Sequence, residues 1–185
     1  SWNKCTFCEM YTQDQKKFKA KKEEDILQDI KDAAKQGIPY EKVFLADGDA
    51  MALPTRRLID ILNQIKEHLP SVKRVTSYSL PRNLKKKSVD DLKALNKLGL
   101  DMLYVGCESG DDTVLQAVSK GETYQSQKDA LIKIKESGIK SSVMILNGLG
   151  GPTLSEQHAL NSALLMNECQ PDFLSTLVVS FPQGE

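Results

Sequence analysis

The feature that most constrains the fold of this chain is a regular alternation of helical and strand-like segments. Apolar side chains recur at helical spacing in five segments, and each segment is followed by a short run rich in apolar and β-branched residues. One repeat takes roughly 30 to 40 residues, the length of a βα unit. The predicted helices cover about residues 23–36, 54–69, 88–98, 124–137 and 155–169, and the predicted strands about residues 43–46, 72–78, 102–105, 142–146 and 173–180.

This alternation predicts an α/β fold with a parallel sheet, because a helix has to carry the chain back before the next strand can run in the same direction. A chain of 185 residues without a low-complexity linker suits one domain. Five strands are predicted, and a strand ahead of residue 1 would raise the count to six.

The charge and cysteine content narrow the possible partners and the cellular compartment of the protein. Lys plus Arg and Asp plus Glu both number 25, so the formal net charge is zero and the basic excess typical of nucleic-acid-binding proteins is absent. No apolar run is long enough to span a bilayer. The four cysteines are too unevenly spaced for a disulfide framework. We expect a reducing, cytoplasmic setting without a membrane partner, and a nucleic-acid partner is not indicated.

Polar and small residues gather where the predicted strands end, which is where parallel α/β proteins place their chemistry. Any strand end becomes polar at a protein surface, so each position alone has an ordinary explanation. The recurrence of acids, hydroxyls and glycines at five successive ends favours a shared site. The residues are Asp47, Gly48, Asp49, Ser77, Ser79, Glu108, Ser109, Gly110, Asn147, Gly148 and Ser180.

The pair Cys5 and Cys8 is the sharpest chemical signal. Two thiolates separated by two residues can bind one metal ion or the irons of a cluster. The pair by itself also fits half a zinc site, a redox dithiol or two unrelated thiols. Zinc would need two more soft ligands, and no second pair is present. The isolated residues Cys107, Cys169, His68 and His158 are interpreted as packing or surface residues.

With its neighbours, this pair resembles the cluster loop of the radical S-adenosylmethionine (radical SAM) superfamily. In that signature the last two of three cysteines are two residues apart, and an aromatic residue precedes the last one, as Phe7 does here. The resemblance extends along nearly the whole chain, to the branch that includes oxygen-independent coproporphyrinogen oxidase and tRNA-modifying enzymes. The further segments that resemble family motifs, in the family's order, are residues 44–50, 103–110, 114–121, 145–151 and 182–184.

The chain departs from the family pattern at two points. The position of the first family cysteine, usually three residues removed from the second, is Ser1 here, and the second-strand motif carries Asp47 and Asp49 instead of Gly-Gly-Glu-Pro. We favour a first cysteine just upstream of Ser1, because the first strand of the fold is also missing. We therefore expect residues 1–185 to be a radical SAM core domain truncated at both ends, with little activity alone.

The resemblance implies a partial (β/α)6 TIM-like barrel and an enzyme. Its cofactors would be a [4Fe–4S] cluster and S-adenosylmethionine, which is cleaved reductively to a 5′-deoxyadenosyl radical that abstracts hydrogen from a substrate. An electron donor such as flavodoxin or ferredoxin would be a partner. The sequence does not identify the substrate.

The resemblance also assigns residues by position. Cys5 and Cys8 would be cluster ligands, and the strand-end residues would contact S-adenosylmethionine. Asp47, Gly48 and Asp49 would meet its amino group, mostly through backbone. Glu108, Lys120 and one of two serines would lie near the ribose or carboxylate, and two further residues near the adenine. The full cofactor set is Phe7, Asp47, Gly48, Asp49, Ser77, Ser79, Glu108, Lys120, Asn147 and Gly148.

Four alternatives remain at this point. The chain could be a non-catalytic βα-repeat module whose cysteine pair binds zinc or nothing, or a phosphate-binding barrel, which would leave Cys5 and Cys8 unexplained. Lys120 could be a solvated lysine at a helix end. The lysine-rich runs at 16–22 and 85–87 are interpreted as solvated loops, although a basic run with one aromatic residue can also bind RNA.

Overall fold

A computed structural model describes residues 4–8, 20–46 and 48–180, and within them five parallel strands form one sheet. The strands lie side by side in chain order, so each βα unit adds one strand at the same edge. The predicted α/β fold is confirmed, and the open sheet agrees with a partial barrel. The strands are β1 (Lys42–Leu45), β2 (Arg74–Ser79), β3 (Leu100–Glu108), β4 (Lys140–Asn147) and β5 (Phe173–Val178).

Seven α-helices and one 3₁₀ turn, Ala50–Ala52, precede or connect the strands in the described part of the chain. The five predicted helices are all present. The helices are α1 (Glu23–Lys35), α2 (Thr55–His68), α3 (Pro81–Lys85), α4 (Val89–Lys97), α5 (Asp112–Ala117), α6 (Tyr124–Ser137) and α7 (Gly151–Cys169).

The core lies between the helices and one face of the sheet. Alternate residues of a strand point to opposite faces, and on β3 the fully buried side chains Leu103, Val105 and Cys107 face the helices. The core residues that the helices contribute include Leu58, Leu62, Leu92, Leu95, Leu131, Ile134 and Leu165. The opposite face carries three packed rings, those of Phe44, Tyr78 and Tyr104, with centroids 4.9 to 6.0 Å apart.

Differences from the sequence prediction concern short elements and element ends. Helices α3 and α5 were not predicted, because five or six residues are too few to show helical periodicity. The predicted start of α7 at residue 155 is wrong, since the helix begins at Gly151 and accommodates Pro152 in its first turn. The predicted cap of α4 is confirmed, because Ser88 Oγ accepts a hydrogen bond from the Asp91 N–H at 3.0 Å.

Among the described residues, no helix combines the length and the apolar character needed to cross a bilayer.

We predict that truncating the centre of β3 is costly and that truncating the outer surface of α7 is not. Leu103→Ala removes a fully buried side chain and should lower the free energy of unfolding by about 2–5 kcal/mol. Leu160→Ala removes the same atoms from a residue that is 59% exposed, and its effect should stay within about 0.5 kcal/mol. Urea unfolding followed by circular dichroism measures both, and equal losses would contradict the assigned core.

Candidate functional site

The carboxyl ends of all five strands lie at one edge of the sheet, because the strands are parallel. The predicted site residues that follow the strands therefore share this edge. Asp47 lies outside the described residues. Gly48 follows β1 with a left-handed backbone, at a φ of 81°, and Asn147 and Gly148 are exposed where β4 ends.

Residues 4–8, here called the cluster loop, are attached to the end of α5. The Thr6 N–H donates to the Val118 carbonyl at 3.1 Å, and the Cys8 N–H donates to the Cys5 carbonyl at 3.4 Å, which closes a turn between the cysteines. Both thiols are half-buried. Burial raises the pKa of the Cys5 thiol, and the positive charge of Lys120 opposes that rise.

The ammonium of Lys120 joins Glu108 to Phe7 of this loop, although about 100 residues separate Phe7 from Glu108 in the chain. The Lys120 ammonium donates to Glu108 Oε1 at 3.1 Å and lies 5.8 Å from the centre of the Phe7 ring. The side chains of Lys120 and Glu108 are only 4% and 13% exposed. Lys120 is therefore not a solvated lysine at a helix end, and the structure joins three of the predicted site residues.

The backbone around Lys120 turns its side chain inward. Ser119 and Gly121 both have left-handed backbones, with φ of 53° and 70°, and the Lys120 N–H donates to the Leu115 carbonyl at 2.9 Å. Two successive reversals of direction end α5 and leave Lys120 aimed at the strand end rather than at solvent.

Arg82 and Glu122 hold this turn in place, and the sequence analysis did not predict either of them. Arg82 Nε donates to Glu122 Oε1 at 2.8 Å, and the same guanidinium donates to the Lys120 and Gly121 carbonyls. Arg82 lies on α3, the short helix that was not predicted. Pro81 at its first position was the available sequence signal.

The Asp49 carboxylate forms hydrogen bonds within the protein. It accepts hydrogen bonds from the Met51 N–H at 2.8 Å, the Leu80 N–H at 2.6 Å and Asn83 Nδ2 at 2.7 Å. Burial raises the pKa of Asp49, and these three donors oppose the rise. The carboxylate thus ties the segment after β1 to α3.

Ser77 and Ser79 lie on the face of β2 that the helices cover. They alternate with Tyr78, which is on the other face, and both are buried. The Ser77 hydroxyl lies 2.9 Å from the Tyr78 carbonyl oxygen and 3.3 Å from that of Leu45, and Ser79 Oγ contacts the Leu80 carbonyl at 3.5 Å. The structure does not bring these two hydroxyls to the Glu108–Lys120 pair.

Glu108 itself has a strained backbone. Its φ is 65°, in the left-handed region that residues with a Cβ rarely adopt. The Ser109 N–H donates to the Cys107 carbonyl at 2.8 Å, which makes Glu108 the centre of a γ-turn. A side chain at Gly106 would place its Cβ 2.3 Å from Glu108 Oε1, so this glycine leaves the space that the carboxylate occupies.

Chemically, the site offers two thiols, a buried acid–base pair and an aromatic ring. In the described part of the chain, no group of three or more His, Cys, Asp or Glu side chains is arranged to hold a metal ion. Cys5 and Cys8, joined by a turn and close to the cation of Lys120, fit two ligands of an iron–sulfur cluster, whose negative charge a nearby ammonium stabilises.

Comparison with known proteins identifies relatives of this chain. The sequence pattern of the Radical SAM superfamily matches residues 2–165. The heme chaperone HemW of Bacillus subtilis is 24% identical over 141 residues, which cover 75% of this chain and 37% of that protein.

Two solved structures are similar in fold. Coproporphyrinogen III oxidase (HemN) from Escherichia coli superposes with a TM-score of 0.70 at 17% identity over 85% of this chain and 36% of that one. The enzyme anSMEcpe with bound AdoMet gives 0.74 at 13% identity over 98% of this chain and 48% of the other. The chain thus spans between one third and one half of the length of these relatives. The resemblance inferred from the motifs is confirmed.

We predict that Glu108→Gly is more stable than Glu108→Ala. Both variants remove the carboxylate and leave Lys120 unpaired, but only glycine adopts a φ of 65° without strain. Relief of the backbone strain contributes about 1–2 kcal/mol, whereas the greater conformational entropy of glycine in the unfolded chain costs about 0.5–1 kcal/mol. The glycine variant should therefore be more stable than the alanine variant by about 0.5–1 kcal/mol. Urea unfolding measures the difference. An alanine variant of equal or greater stability would show that residue 108 is unstrained.

Proposed function

The chain belongs to the radical SAM superfamily, whose cofactors are a [4Fe–4S] cluster and S-adenosylmethionine, and we propose that it forms the core of such an enzyme. In this proposal Cys5 and Cys8 are two of the three cluster ligands, and the carboxyl edge of the sheet binds S-adenosylmethionine. The observation that carries the proposal is the convergence of the cluster loop with the buried pair of Glu108 and Lys120.

Each residue of this group has a distinct role. Phe7 covers one side of the Lys120 ammonium and excludes water from the space beside the thiols. Lys120 places a positive charge next to Cys5, which favours the thiolate form that a metal requires. Glu108 accepts hydrogen bonds from ribose hydroxyls or from the methionyl ammonium, and its ion pair with Lys120 holds its carboxylate in place.

The remaining strand ends complete the cofactor site. We propose that Gly48 and its neighbours Asp47 and Asp49 approach the methionyl amino group through backbone, in agreement with an Asp49 side chain that accepts hydrogen bonds from three internal donors. Asn147 and Gly148 lie at the end of β4 and are assigned to the adenine. Ser77 and Ser79 keep only an indirect role, because their hydroxyls contact backbone carbonyls.

When bound, the reduced cluster supplies the electron that cleaves S-adenosylmethionine to a 5′-deoxyadenosyl radical, and the protein binds, orients and shields the reactants. A flavodoxin or ferredoxin is the proposed electron donor, in a reducing cytoplasmic setting. The substrate stays open. The alternative of a non-catalytic module with a zinc-binding or empty cysteine pair is not favoured, because the family pattern covers residues 2–165.

We predict that iron binding depends on the two loop cysteines. The full-length protein, reconstituted without oxygen, should bind about four irons per chain, and Cys5→Ala combined with Cys8→Ala should abolish this. Cys169→Ala is the matched control, because Cys169 is a free, buried cysteine on α7, away from the cluster loop. Iron and sulfide assays with visible absorption spectra provide the measurement, and an unchanged iron content in the double variant would rule the ligands out.

We also predict that Glu108→Gln weakens S-adenosylmethionine binding. The loss of one charge-assisted hydrogen bond costs about 1.5–3 kcal/mol, or roughly a 10- to 100-fold increase in Kd. Calorimetric titration of the reconstituted protein measures Kd. Asp101→Asn is the control, since it removes an acid from the opposite end of the same strand, where Asp101 pairs with Lys140 at 3.7 Å. Parental affinity in Glu108→Gln, with iron content unchanged, would show that Glu108 is only structural.

A further inference from the structure

The three residues after the strained position are bound tightly to two helices. Residues 109–111, here called the β3–α5 turn, lie against α6 and α7. The Ser109 carbonyl accepts a hydrogen bond from Gln127 Nε2 of α6 at 2.9 Å, and the Gly110 N–H donates to Ser162 Oγ of α7 at 2.9 Å. The backbone of this turn is therefore satisfied by side chains of neighbouring helices.

Side chains of the turn contact the same face of α7. Ser109 Oγ lies 2.8 Å from His158 Nδ1 and accepts a hydrogen bond from the Asp111 N–H at 3.0 Å. The Asp111 carboxylate accepts from Gln157 at 3.0 Å and from Asn161 at 2.6 Å. Burial raises the pKa of Asp111, but its hydrogen bonds outweigh burial and lower it, so the group is a carboxylate.

Gly110 allows the turn and α7 to touch backbone to backbone. A Cβ at this position would lie 2.3 Å from the Asn161 carbonyl oxygen and 2.8 Å from the Ser162 Cα. Main-chain atoms cannot move aside as a flexible side chain can, so the turn has one position relative to the helix.

We propose that the polar face of α7, formed by Gln157, His158, Asn161 and Ser162, positions Glu108 for cofactor binding. These side chains hold the β3–α5 turn. The position of this turn forces residue 108 into its left-handed backbone, which aims the Glu108 carboxylate at Lys120. The cofactor part of this inference rests on the proposed function above, whereas the contacts that carry it lie within the chain.

Strain explains why such a brace is needed. A residue with a Cβ stays in the left-handed region only where its surroundings leave it no alternative, and such residues cluster at functional sites. Without the contacts from α7, residue 108 would relax toward extended backbone, because that region is lower in energy. The carboxylate would then leave the space that Gly106 provides and separate from Lys120.

The burial of His158 indicates that the contact between α7 and the β3–α5 turn is retained at a cost in free energy. The residue is only 4% exposed, and its Nε2 has no hydrogen-bond partner among the residues that the structure describes. Burial lowers the pKa of its imidazole, with the Asp111 charge opposing, so the ring is neutral. An unpaired buried nitrogen is unfavourable, and the compensating feature of this ring is its contact with Ser109.

A double-mutant cycle tests the proposal on the reconstituted full-length protein. Ser162→Ala should raise the Kd of S-adenosylmethionine roughly tenfold when Glu108 is present, and should have no effect in a Glu108→Ala background, since it acts only through that residue. Ser137→Ala is the control, because Ser137 is also a buried helical serine with its hydroxyl bonded internally, to the Ile134 carbonyl. It should leave Kd unchanged in both backgrounds.

The outcomes separate this inference from the proposed function. An equal loss in both backgrounds, or no loss from Ser162→Ala while Glu108→Ala binds weakly, would overturn the positioning role alone. Unchanged affinity in Glu108→Ala would overturn the proposed role of Glu108 and the positioning role with it.

A cofactor-independent measurement and a rescue complete the test. The crystal structure of Ser162→Ala should show residue 108 away from its left-handed φ and a longer distance from Glu108 Oε1 to Lys120 Nζ, and unaltered geometry would contradict the proposal. His158→Leu should weaken cofactor binding as Ser162→Ala does. His158→Asn keeps a polar atom near the Nδ1 position and should restore affinity, and failure to do so would argue against the contact with Ser109.

Discussion

The parallel pairing of β3 with β2 on one side and β4 on the other is the constraint on which the site depends. It brings the carboxyl ends of all strands to one edge, and a bulge between Gly106 and Glu108 ends the regular ladder there. Because the loop after α5 folds back over this edge, Lys120 reaches Glu108, and the cluster loop attaches to Val118 beside them. Residues far apart in sequence thus form one site.

The ion pair at this edge is better understood as a functional feature than as a source of stability. Removing both charges of Glu108 and Lys120 from water is costly, and their attraction largely offsets that cost. The left-handed backbone of Glu108 adds strain. The contacts of Arg82 with Glu122 and of α7 with the β3–α5 turn supply the hydrogen bonds that keep this unfavourable arrangement ordered.

The structural core and the candidate site occupy different parts of the sheet. One face is covered by helices and carries the apolar core, in which even the hydroxyls of Ser77 and Ser79 contact backbone carbonyls. The other face presents the rings of Phe44 and Tyr78, which are 40% and 47% exposed. A mutation such as Leu103→Ala therefore acts on stability, whereas changes at the carboxyl edge act on the site.

The sequence by itself determined the order of the five strands and of the five longer helices, the parallel sheet and the family, because periodicity, turn residues and the spacing of Cys5 and Cys8 are local patterns. It also pointed to Glu108, as an acid where an apolar strand ends. Only the tertiary structure decided that Lys120 is buried against Glu108, that Arg82 clamps the loop through Glu122, and that α7 braces the strained turn. These contacts join residues 12 to 52 positions apart, and their geometry depends on how whole elements pack, which no local spacing encodes.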